Sequence, residues 1–141
     1  MDKGPKELKM IKYIEKNVNP KNRKTGDCST RALVGTLNIT YEEALRLQTE
    51  VSLKTYYDPT SKQVMEKVLA KFGYIKMPQP RKFDNTKYTV NELDNVLTTQ
   101  QLKEGVLVTV ANHHTCITNG YIQDIWNCSN KCVGNYYIKR K

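Results

Sequence analysis

Four cysteines and two histidines are the residues of this chain with nucleophilic or ligating chemistry: Cys28, Cys116, Cys128, Cys132, His113 and His114. Cys28 has the most telling surroundings. A polar loop, Lys21-Asn22-Arg23-Lys24-Thr25-Gly26-Asp27, runs straight into it, and Cys28-Ser29-Thr30-Arg31-Ala32-Leu33 reads as the first turns of a helix. A thiol there sits at the positive end of the helix dipole, where backbone N–H groups favour the thiolate. A thiolate nucleophile then needs a base, a group to orient that base, and an oxyanion donor.

The base and its partner are sought in His113-His114-Thr115-Cys116-Ile117-Thr118-Asn119-Gly120-Tyr121-Ile122-Gln123-Asp124-Ile125-Trp126. Asn-Gly between two apolar-alternating runs is a strong hairpin signal, and a two-residue turn fixes the register. Thr118 then pairs with Tyr121 and Ile117 with Ile122. One face carries His113, Thr115, Ile117, Ile122, Asp124 and Trp126; the other carries His114, Cys116, Thr118, Tyr121, Gln123 and Ile125. His113 and Asp124 become diagonal neighbours on adjacent strands, within reach of long side chains. Asp124 can fix one imidazole nitrogen and leave the other to take the thiol proton, with Trp126 shielding the pair from water.

The elements that must position these groups follow from periodicity. Residues 6–17 put Leu8, Ile11 and Ile14 at helical spacing, which predicts a short amphipathic helix ended by Asn19-Pro20. Ala32, Leu33 and Leu37 give the Cys28 helix an apolar face, and Ser29, Ala32 and Gly35 let it lie close to a neighbour. Thr40-x-x-Glu43 opens a helix to about Leu53, Thr60-x-x-Gln63 opens another ended by Gly73, and Thr89-x-x-Glu92 caps a short third. Residues 76–87 read as a surface loop. Val106 to Ala111 is a continuous apolar run, so a buried strand, and Val133 to Lys139 a final one. The expectation is a single α+β domain over residues 1–141, helical in its first half and β in its second.

In two blocks, Asp27-Cys28-x-x-Arg31-Ala32-Leu33 and His113-x-Thr-Cys-Ile-x-Asn-Gly120-x-Ile-x-Asp124-x-Trp126-Asn127, the chain resembles small papain-like cysteine peptidases, in particular compact versions from bacteria and their phages. The resemblance implies a nucleophile helix packed on an antiparallel sheet, with Cys28 as nucleophile, His113 as general base and acid, and Asp124 as the orienting residue. It implies acyl transfer on peptide, isopeptide or related amide bonds. Papain-like enzymes often carry a glutamine shortly before the cysteine as oxyanion donor; none occurs here, and Asn22 is the candidate, with a turn asparagine as its plain alternative. His114 is the rival base, and Asn127 the rival third member.

Composition bounds the remaining choices. The chain has 141 residues with 38% hydrophobic content and 23 Lys+Arg against 14 Asp+Glu, a net charge of +9. No apolar run is long enough for a transmembrane helix, and no secretory signal is evident, so a cytoplasmic protein (host cytoplasm if phage-encoded) with reduced thiols is the expectation. No cofactor is expected. The partner is a protein or peptide substrate, with an anionic partner suggested by the charge and nucleic acid disfavoured because the aromatics do not interleave with the basic residues. Zinc on His113, Cys116, Cys128 and Cys132 is a competing reading, with His114 and Cys116 as alternative ligands. A basic binding protein, either zinc-stabilised or an inactive papain-like chain, completes the alternatives.

Overall fold

The computed structural model describes residues 10–24 and 26–140. Six strands form one sheet in the order β1-β5-β4-β3-β6-β2: β1 (Lys12–Glu15), β2 (Tyr74–Met77), β3 (Val106–Val110), β4 (His113–Thr118), β5 (Tyr121–Asp124) and β6 (Tyr136–Lys139). β1 runs parallel to β5, and every other pairing is antiparallel. Helices α1 (Cys28–Leu37), α2 (Tyr41–Thr55), α3 (Lys62–Lys71) and α4 (Thr99–Glu104) and a 3-10 helix over Val90–Asn95 complete the described elements. The architecture is α+β, with α1 to α3 preceding most of the sheet in the chain.

The sheet is covered on both faces, which explains why every residue of β3 (Val-Leu-Val-Thr-Val) is buried. On one side Leu107 and Tyr137 meet Ala32 and Leu33 of α1, Ala44 and Val51 of α2, and Val64, Met65, Val68 and Leu69 of α3. On the other, Val106, Val108, Val110, Ile117 and Ile122 pack with Val90, Leu93 and Leu97, and with Cys128 and Val133 of the loops. α1 lies close against β4 because Gly35 has no side chain: a Cβ there would meet the Cys116 sulfur at 2.3 Å. The Thr118 hydroxyl also donates to the Gly35 carbonyl at 2.7 Å.

Several local expectations are met. Ile117 pairs with Ile122 and Thr118 with Tyr121 around the Asn119-Gly120 turn, with Asn119 at φ 54° and Gly120 at φ 80°. The capping boxes Thr40/Glu43 and Thr89/Glu92 are formed.

Others are corrected. Lys12–Glu15 is a strand, not helix: Lys12 to Glu15 pair with Tyr121 to Asp124, and the ladder at the sheet edge overrides a weak helical periodicity. The part of the expected helix at residues 6–9 lies outside the described residues. The cap of α3 is Ser61, accepting from the Val64 N–H at 3.2 Å, because Asp58 holds the Thr60 hydroxyl at 2.7 Å in a local turn. Lys76 and Met77 belong to β2 rather than a loop, paired with Tyr137 and Tyr136. α4 is an unexpected helix, although Thr98 and Gln101 form the same capping box as the others.

Candidate active site

α1 begins at Cys28, and its first turn reaches the start of β4. The helix has Asp27 at its N-cap, yet the Asp27 carboxylate caps nothing. It is turned inward instead. One oxygen pairs with Arg31 one turn on, and the other accepts from the Tyr41 hydroxyl at 2.5 Å and the Asn19 amide at 3.1 Å. Arg31 is 7% exposed, and its guanidinium also stands 3.9 Å from Asp124 Oδ1. A buried network therefore ties the loop before Cys28 to the sheet strand that carries Asp124.

Asp124 is 4% exposed and fully engaged. Its Oδ2 is 2.6 Å from His113 Nε2, its Oδ1 accepts from the Ile125 N–H at 2.7 Å, and its own carbonyl accepts from the Tyr13 hydroxyl and the Lys16 N–H. β1 thus clamps the end of β5 at the residue whose carboxylate matters. With Nε2 on Asp124, Nδ1 of His113 is the ring nitrogen left for Cys28, whose thiol is coupled electrostatically to the His113 ring and to the His114 backbone N–H. Trp126 lies beyond the end of β5 and sets its ring edge-on to His113, centroids 4.8 Å apart; Lys131 stands over the outer side of the indole.

The electrostatics favour a thiolate–imidazolium pair. Burial pushes the Cys28 thiol up, but hydrogen bonds from His113 and the His114 backbone, with the imidazolium charge, bring it below the ordinary value. Burial opposes charge on His113 as well. Hydrogen bonds to Asp124 and Cys28, with their negative charges, overcome it and raise the ring to about 9. Asp124 stays below the usual carboxylate value because its bonds, chiefly to His113, outweigh burial. The other buried thiols are held neutral by desolvation: Cys116 is pushed up to about 12 and Cys128 to about 11.

The structure brings together Cys28, His113 and Asp124. The remaining candidates lie elsewhere. The His114 ring is on the other face of β4, desolvated and pushed down to about 4, with only its backbone at the Cys28 sulfur. Asn127 accepts from the Ser129 N–H and hydroxyl in an exposed turn. Asn22 is in an exposed turn at φ 55°, its N–H donating to the Asn19 carbonyl, as a turn asparagine does. No hydrogen bond joins its side chain to Cys28, His113 or Asp124 among the described residues.

The four-ligand zinc set is not assembled. Cys116 packs under Gly35 on the face opposite His113, and Cys132 is exposed beside Thr89. Among the described residues one group of potential metal donors is close, His113, Asp124 and Cys128, with ligand atoms within 4.8 Å of one another. Two of its three members are already joined by the His113–Asp124 hydrogen bond.

Sequence reasoning missed Arg31, Tyr13 and Cys128 as neighbours of Asp124. Arg31 carried a signal, since Asp27 and Arg31 are spaced i,i+4 on a helix start. The other two become neighbours only through the tertiary fold. No helix among the described residues is long and apolar enough to cross a membrane. Compared with protein-family models, curated proteins and solved structures, the chain matches none.

Proposed function

We propose that the chain is a papain-like cysteine peptidase or related thiol hydrolase that cleaves a peptide, isopeptide or similar amide bond. One observation carries this: a single imidazole, on His113, stands between a carboxylate at 2.6 Å and a thiol at the start of a helix. A polar pair that merely satisfies two buried groups would not need the third member.

The chemistry follows from the protonation states. Cys28 Sγ, as thiolate, attacks the carbonyl carbon, and the carbonyl oxygen takes the negative charge. The N–H of Cys28 itself, unpaired within the helix because it is in the first turn, is the nearest donor for that oxyanion. His113 gives its Nδ1 proton to the departing amine, the C–N bond breaks, and a thioester to Cys28 remains. Water then attacks the thioester, His113 accepts its proton, and the Cys28 thiolate leaves with the acid as product. Asp124 keeps Nε2 protonated throughout, so Nδ1 is the nitrogen that cycles.

Alkylation tests the nucleophile without knowledge of the substrate. Under native conditions near pH 7, iodoacetamide is expected to label Cys28 much faster than Cys132, the exposed thiol, while Cys116 and Cys128 stay protected. Peptide mapping by mass spectrometry reads the four rates. Labelling of Cys28 no faster than Cys132 would overturn the assignment. Hydrolysis is tested by incubating an unselected peptide mixture with the protein and with Cys28→Ala; new termini that appear with the first and not the second are the expected result, and identical digests argue against a peptidase.

A further inference from the structure

The face of β4 turned away from His113 carries a second cluster of polar groups, near the turn that holds Cys28. α3 starts where α1 starts: the Ser29 hydroxyl donates to the Thr60 carbonyl at 3.2 Å, and Gln48, beneath Ser29, donates to the Pro59 carbonyl at 3.2 Å. The first residue of α3, Lys62, is therefore carried to the neighbourhood of the Cys28 turn. Its ammonium donates to Asn135 Oδ1 at 3.4 Å. Asn135 is fixed in turn. Its N–H donates to the Thr109 hydroxyl at 2.9 Å and its side-chain amide to the Met77 carbonyl at 3.1 Å. Thr109 is the direct cross-strand partner of His114. The His114 ring completes the group: its Nδ1 is buried without a hydrogen-bond partner, and its backbone N–H favours the Cys28 thiolate.

Charge in this cluster is unbalanced. The nearest acid, Glu66 one turn along α3, is already committed to the Tyr137 hydroxyl at 2.5 Å and to the Lys76 ammonium at 3.0 Å. Among the described residues Lys62 has no carboxylate within ion-pair distance. Its one close partner is a neutral amide oxygen at the long end of the hydrogen-bond range. A partly buried ammonium with a weak neutral acceptor, beside an imidazole nitrogen with no partner, is completed by an anion with two oxygens. One oxygen takes the ammonium, the other the ring N–H of the δ tautomer.

We propose that Lys62, Asn135 and the His114 ring form an anion-recognising subsite beside Cys28, selecting substrates that carry a carboxylate next to the scissile amide. The assignment rests on Cys28 being the nucleophile and names the class of substrate it takes: an acyl group flanked by an Asp or Glu side chain or by a free carboxyl terminus. It gives His114, adjacent to the base, a role distinct from catalysis. Lys62 and Asn135 supply charge and shape, and the backbone of His114 couples the subsite to the sulfur.

Two small reagents that differ by one carboxylate test it on the intact chain. Rates of Cys28 alkylation by iodoacetate and by iodoacetamide are measured at pH 7 and low salt, and their ratio is compared across variants. Lys62→Gln is expected to lower the iodoacetate-to-iodoacetamide ratio about fivefold, the loss of one charge contact near the surface. Lys54→Gln, which removes the same charge from the exposed far end of α2, is expected to leave the ratio unchanged. An unaltered ratio in Lys62→Gln overturns the subsite, and so does an equal fall in both variants, which would mean that net charge alone attracts the anion. Both results leave the nucleophile standing. Labelling of Cys28 no faster than Cys132 in the parent protein removes the nucleophile, and the subsite with it. In peptide digests, bonds cut by the parent protein are expected to have an acidic residue or terminus nearby; Lys62→Glu reverses that preference, and cleavage indifferent to charge overturns the proposal.

Discussion

Replacing Asp124 by Asn keeps the shape of the side chain and removes its charge, which isolates what the carboxylate does for His113. In the parent protein the ring is held at about 9 against an ordinary 6.5. At about 1.4 kcal/mol per tenfold change in the proton equilibrium this is roughly 3 kcal/mol of preference for the imidazolium. His113 keeps Cys28 as a second partner and is not fully withdrawn from solvent, so about half of that preference, roughly 1.5 kcal/mol, is assigned to the carboxylate. Two effects on Cys28 then oppose each other. The negative charge of Asp124 itself disfavours the thiolate slightly, so its removal should help. The hydrogen bond and charge from His113 favour the thiolate more strongly, and they fade once the ring titrates lower. The second effect wins, so the pH midpoint of Cys28 reactivity rises in Asp124→Asn, and its alkylation rate at pH 6 falls about tenfold. In the parent protein the ion pair spans the range from the lowered thiol value up to about 9, where His113 loses its proton. The assay is the rate of Cys28 modification by iodoacetamide from pH 4 to 10, read by peptide mass spectrometry. A midpoint in Asp124→Asn equal to or below that of the parent would refute the coupling of carboxylate, imidazole and thiol.

Other outcomes are expected from the packing and charges. Gly35→Ala drives a Cβ to 2.3 Å from the Cys116 sulfur and is expected to destabilise by about 1–3 kcal/mol in urea unfolding; adding Cys116→Ala should recover much of the loss, and no recovery would mean the strain lies elsewhere. Arg31→Met leaves the buried Asp27 without its cation, while Asp124 keeps His113, and is expected to cost about 3–5 kcal/mol by the same measurement. Unfolding free energy is expected to fall below pH 6.5. There the unfolded chain protonates His114 while the folded ring, pushed down to about 4, does not, so stability falls with falling pH at up to about 1.4 kcal/mol per pH unit. Between pH 6.5 and about 9 the extra proton held by the raised His113 is opposed by the one that the lowered Cys28 has released and the unfolded thiol still keeps, so the curve is flatter there. Stability that does not fall between pH 6.5 and 4 would contradict the His114 assignment.

What the sequence by itself determined is local and covalently fixed. Asn119-Gly120 sets a two-residue turn, and the twofold period of strands then places His113 and Asp124 on one face and His114 on the other. Hydroxyl and carboxyl residues three apart cap helices with no help from the core, as at Thr40 and Thr89. The small residues of α1 announce a close approach, and Gly35 makes it.

Tertiary structure decided what depends on chain segments far apart. Four residues, Lys12 to Glu15, have too little pattern to choose their state, and the free edge of β5 chose it for them. Cys28 stands 85 residues from His113 along the chain, and their contact exists because Gly35 admits Cys116 and so fixes where α1 lies on β4. The same docking turns the Asp27 side chain away from the end of α1 and onto Arg31, and it brings Lys62 and Asn135, unremarkable in sequence, toward the strand pair that carries His114. A sequence names the donors and acceptors; which of them share one desolvated space is settled by how helices and sheet pack.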